Sequence, residues 1–150
     1  MKLRNAGVSL LLLMAGVVAA KDEVKHHAMH HGEHSADNRI SLNLPPPMKL
    51  HQLKNMRAHL AAVQEIVVQL GKENFEEASQ IAHQKLGLTV EMEAMCNSFE
   101  NEDFKKMGIG FHKSADELGE VLSKGDMENS LAALGSTMNY CVSCHAQFKQ

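Results

Sequence analysis

The sequence predicts an all-α chain folded as an antiparallel, up-down four-helix bundle. Four stretches place apolar residues at steps of three and four, the spacing that lines one face of a helix. Glycines and prolines punctuate the short intervals between them, and short connections favour antiparallel neighbours. No stretch alternates apolar and polar residues for long enough to read as a strand.

Pro45-Pro46-Pro47 forms a stiff connector and sets up a helix start, since proline is tolerated in the first helical turn. From Met48 to Leu70 the residues Leu53, Met56, Leu60, Val63, Val67 and Leu70 form a seam, and Gly71 is a natural stop. Asn74 is placed to cap the second helix, with Glu77 three residues on to complete a capping box. Its apolar side is Phe75, Ala78, Ile81, Ala82, Leu86 and Leu88, with Gly87 as an end or break. Thr89 to Phe99, carrying Met92, Met95 and Cys96, adds a further turn or two.

The third helix is expected from about Asn101 to Lys124, with Phe104, Met107, Phe111, Leu118 and Val121 or Leu122 inward and Gly125 as terminator. Gly108-Ile109-Gly110 weakens it by roughly 1 kcal/mol per glycine relative to alanine. The simplest reading of that triplet is a local kink; the other is close approach by a flat ligand or a neighbouring helix. Asp126 caps the last helix, whose seam is Leu131, Leu134, Met138, Cys141, His145 and Phe148.

That last seam contains Cys141-Val142-Ser143-Cys144-His145. Residues three and four apart share a helix face, so two thiols and an imidazole point at one flat ligand. Cys-x-x-Cys-His is the attachment signal for haem c: each thiol adds across a porphyrin vinyl group and the histidine coordinates the iron. From the composition, roughly four chains in a thousand would carry it by chance. A thioredoxin-like pair would follow a strand, and a zinc site would need a second ligand pair where only Cys96 remains. Cys141 and Cys144 are therefore the expected thioether positions, His145 the proximal iron ligand, and Cys96 a small buried side chain.

Residues 1–20 read as a secretory signal, with Lys2 and Arg4 ahead of an apolar run and Val18-Ala19-Ala20 as the cleavage site. Residues 21–44 read as a flexible tail with five histidines between His26 and His34, a candidate site for one zinc or copper ion. Residues 45–150 are the bundle. The full chain has net charge −3, and losing Lys2 and Arg4 leaves −5, a balance unsuited to nucleic acid. No stretch after the signal is apolar for the ~20 residues a membrane span needs. The chain is thus expected to be exported to the periplasm. With no Trp and only six aromatic residues, it leaves room for a large apolar cofactor in its interior.

An exported helical chain ending in Cys141-x-x-Cys144-His145-Ala-Gln-Phe148-Lys149 resembles the class II c-type cytochromes, the cytochrome c-prime family, over roughly residues 46–150. The resemblance implies one covalent haem c inside a four-helix bundle. Members either leave the distal iron position open and bind nitric oxide or carbon monoxide, or close it with a methionine from the first helix and transfer electrons. Here Met56 is that methionine, with Gln52 where the family usually has arginine four residues earlier. His59 offers a bis-histidine alternative, and Met48 lies off the seam. His51, His83 and His112 are expected on helix flanks, and Arg57 and Lys149 are candidates to meet a haem propionate.

Three functions follow as expectations. The first is an electron carrier with a redox partner protein, the second a five-coordinate gas-binding protein, and the third metal binding by the histidine tail. No acid–base pair of the kind a peroxidase uses is legible, so no enzyme is expected. A homodimer is compatible with this reading.

Overall fold

The computed structural model describes residues 36–150. Five helices follow in order: α1 (Pro46–Leu70), α2 (Phe75–Ile81), α3 (Val90–Asn97), α4 (Glu102–Leu122) and α5 (Met127–Gln147). A π-helical turn, Ala82–Leu86, extends α2 to Gly87. The bundle is therefore four-helical, made of α1, the extended α2, α4 and α5, with the short α3 in the connection between the second and third members.

Local chemistry sets most of the boundaries. Pro45 precedes α1 in extended backbone, and Pro46 and Pro47 occupy positions where no N–H is needed. Thr89 caps α3, Asn101 caps α4 and Asp126 caps α5, each side chain accepting a backbone N–H three residues on. Gly125 takes φ +72°, the left-handed conformation that ends the α4 segment. The expected capping box at Asn74 does not form. Its side-chain amide donates to Gln69 Oε1 instead, because the tight turn after Gly71 carries it back toward the end of α1.

The core joins Val63, Ile66 and Leu70 of α1 to Ala78, Ile81 and Leu86, to Phe111, Ala115, Leu118 and Leu122 of α4, and to Leu134 of α5. Polar ties fix neighbouring helices. Ser79 Oγ donates to Gly119 O at 2.8 Å, and Ser114 Oγ meets Thr137 Oγ1 at 2.8 Å.

Several expectations about faces are corrected. In α1 Gln52, Val63, Ile66 and Leu70 are buried and Met56 and His59 half-buried, while Leu53 and Leu60 (70 % exposed) open on a cavity beside α1 and Val67 is exposed. In α5 Ser130 and Thr137 are buried, Leu131 is exposed, and Met138 opens on the same cavity. The dry core thus takes Ile66 where Val67 was expected, and Ser130 and Thr137 hold buried positions that apolar patterning passes over. Gly108–Gly110 does not interrupt α4, which is helical from Glu102 to Leu122. A Cβ on Gly110 would come within 2.8 Å of the Tyr140 ring, so this glycine admits α5 to close range.

The segment read as tail up to Leu44 is also shorter than expected, since packing begins at Asp37. Ile40–Ser41 (β1) pairs in parallel with Phe148–Lys149 (β2), Ile40 opposite Phe148. Leu42 and Leu44 pack with Met48 against Phe99, Phe104 and Phe148, the apolar contact that draws this segment onto the bundle. Two-residue strands leave no sequence periodicity to read. The histidines His26–His34 lie outside the described residues.

Candidate haem site

Cys141, Cys144 and His145 sit in the final turns of α5, and all three open on one cavity of about 350 Å³. Its opposite wall comes from α1, through Gln52, Met56, His59 and Val63. Met92, Met95 and Cys96 of α3 and Met107, Phe111 and His112 of α4 complete it. Close backbone approach of α1 is to α2 and its π turn, while α4 packs on α2, α3 and α5. The space left between α1 and the α4–α5 pair holds the cavity.

The lining is mostly apolar and sulfur-rich, as a flat aromatic macrocycle requires. Cys141 and Cys144 are half-buried, and burial raises both thiols, Cys144 to about 11 with further help from its neighbour. Both are thus S–H at neutral pH, the group whose sulfur and hydrogen add across a vinyl double bond. His145 is exposed and reaches the cavity from its rim, not from the interior as its place on the seam suggested. The three groups fit haem c, two thiols and an imidazole facing one apolar slot. Among the described residues, no cluster of three or more His, Cys, Asp or Glu side chains could hold a bare metal ion.

On the opposite wall His59 is half-buried, its ring 5.0 Å from Phe111 and 5.5 Å from His112 between centroids. Burial, reinforced by neighbouring His112, pushes its imidazole down to about 4, so it is neutral at pH 7. His112 was expected on a flank but is only 5 % exposed. Its Nδ1 lies 2.7 Å from Leu86 O, and because a carbonyl only accepts, that nitrogen carries the proton. The hydrogen bond is what makes the burial tolerable, by answering a carbonyl that the π turn leaves free. A signal for it was present: Gly108, Ala115 and Gly119 lie on the same face of α4 at helical steps, marking a side that packs closely, Gly108 on Cys96 of α3 and Gly119 on His83 of the π turn.

The remaining candidates separate cleanly. His51 is exposed and within 3.2 Å of Asn55 Nδ2, and His83 pairs with Asp116 at 3.0 Å. Cys96 is buried on the cavity wall against Gly108. Arg57 lines the cavity from an exposed position. Lys149 does not face the cavity; its Nζ donates to Asp37 O at 2.9 Å. Met48 packs in the separate Phe99–Phe104–Phe148 cluster. Gln52, noted above for its place four residues before Met56, is only 8 % exposed on the wall; sequence reasoning missed Tyr140 beside Cys141.

The family model described as Cytochrome C' matches residues 49–149. The chain belongs to the cytochrome c' family. No curated protein and no solved structure matches it. Membership makes this a c-type cytochrome on a four-helix bundle, and the matched residues take in the whole cavity wall from Gln52 to His145. Among the described residues, no helix of this cytochrome is long and apolar enough to cross a membrane.

Proposed function

We propose that this protein is a periplasmic monohaem electron carrier, acting as a carrier and not as an enzyme. Cys141 and Cys144 hold haem c covalently, His145 is the proximal iron ligand, and a side chain of α1 closes the distal position. Bound haem supplies a one-electron iron couple. The observation that carries the reading is that Met56 and His59 line the same cavity as the Cys-x-x-Cys-His residues, from the opposite helix. Two soft or imidazole donors on that wall favour a closed iron over an open one.

The rest of the chain supports the same reading. The packed bundle holds both walls in place, which keeps the rearrangement on electron transfer small. Val142 lies between the two attachment cysteines and is exposed, with Met138 and Leu131 on the same face of α5. That apolar strip beside the haem edge suits transient docking of a redox partner.

Absorption spectra of the holoprotein, oxidised and reduced, with and without carbon monoxide, test the proposal. Low-spin spectra unchanged by carbon monoxide are expected. A high-spin reduced spectrum that shifts on adding carbon monoxide would replace electron transfer with gas binding. The mass of the mature protein should exceed that of its chain by one haem, and Cys141→Ser with Cys144→Ser should lose it.

A further inference from the structure

The α1 wall presents two donors three residues apart, and their surroundings differ. His59 packs against Phe111 on one side and meets His112 at 84° between ring planes, so the imidazole plane is set by two neighbours. Among the described residues, neither ring nitrogen of His59 has a hydrogen-bond partner, and neither is shut off from open space, on a side chain that lines the cavity. Met56 is a three-torsion thioether that packs without a partner. Five other side chains lining the cavity, Met92, Met95, Cys96, Met107 and Met138, are also sulfur-bearing beside Cys141 and Cys144. Sulfur thus fills this cavity generally, whereas His59 brings it a nitrogen donor held in a set plane.

His112 supplies a second observation. Its Nδ1–H is committed to Leu86 O, which fixes the ring that His59 meets edge-on, and so sets one side of the space His59 can occupy.

We propose that His59, and not Met56, is the side chain from α1 that ligates the haem iron, with His112 as the positioning residue behind it. This rests on the closed-iron reading above. His59 and His145 then form a bis-imidazole pair drawn from two helices, and Met56 is part of the apolar lining.

The test is spectroscopic, on holoprotein. Wild type is expected to be low-spin and to lack the weak far-red band of a thioether–ferric iron bond. Met56→Leu should leave the spectrum unchanged. His59→Ala should become high-spin when reduced, bind carbon monoxide, and return to low-spin on adding free imidazole, which a merely structural role would not produce. A wild-type thioether band, lost in Met56→Leu, would overturn His59 ligation and leave the electron-carrier reading standing. A high-spin wild type that binds carbon monoxide would overturn both. The wild-type band and Met56→Leu decide the matter even where His59→Ala fails to fold.

Discussion

Gly110 and Gly135 make a paired experiment, because both lie inside helices but only one is crowded. Replacing a mid-helix glycine by alanine gains about 1 kcal/mol from restricted backbone freedom. A Cβ at Gly135 meets nothing within 4 Å, so Gly135→Ala should show that gain nearly in full. At Gly110 the same atom would stand 2.8 Å from Tyr140 Cε1 and 3.2 Å from its hydroxyl oxygen. Carbon atoms pack best at about 3.5–4.0 Å, so the ring must retreat by most of an ångström. Tyr140 is half-buried beside Cys141, and forcing it costs about 1–3 kcal/mol. The propensity term cancels between the two variants, leaving the crowding cost as their difference. At about 4 °C per kcal/mol, Gly110→Ala should melt roughly 4–12 °C below Gly135→Ala. In a Tyr140→Ala background the gap should close. Equal Tm values for the two glycine variants in the otherwise native chain would refute the close approach of α5.

Three further outcomes are expected. Leu118→Ala empties a fully buried position at the centre of the bundle and should cost about 2–5 kcal/mol, read as a lower urea midpoint at unchanged slope. Asp126→Ala removes the 2.7 Å cap to Asn129 N–H and should cost about 1 kcal/mol, whereas Asn74→Ala, which caps nothing, should leave Tm within about 2 °C. In the haem-free chain His59 is held at about 4 against an ordinary 6.5, and His112 is also lowered by burial, so the unfolded chain binds more protons in that window. The stability this contributes is present above pH 6.5 and is lost as pH falls toward 4, about 2 kcal/mol by pH 5 from His59 alone. A Tm of the haem-free chain unchanged between pH 7 and pH 5 would exclude it.

The helices and most of their ends were legible because each rests on local chemistry: caps at Asn101 and Asp126, a glycine at Gly125, and a spacing of three and four that also brings Cys141, Cys144 and His145 to one cavity. The inner faces of α1 and α5 were half legible. Val63, Leu70 and Leu134 stand in the core where the pattern put them, and Leu53, Met56, Leu60 and Met138 reach the cavity, yet Gln52, His59, Ser130 and Thr137 share the inner side without any apolar signal. Apolar periodicity finds a dry core, but part of this interior is a ligand cavity, where a polar side chain is tolerated or required. Thr137 is satisfied only by a residue on another helix, Ser114, 23 positions away. His112 is buried for the same kind of reason, its partner Leu86 O lying on another element. Partners of that kind leave no mark in a single sequence.

The short parallel pair bears on how firmly the last turn of α5 is held. A helix's last turn ordinarily frays, opening and closing at little cost. Here Arg39 donates to His145 O at 3.3 Å, Leu42 N–H donates to Lys149 O at 2.9 Å, and Lys149 holds Asp37. The beginning of the packed unit is thereby laced to its end, across 106 residues for Arg39 and His145. Such a seam closes only after the intervening helices have assembled, since joining distant residues costs the most chain entropy. The turn that carries His145 is therefore a joint sealed from both directions, and its rigidity depends on residues that never touch the cavity.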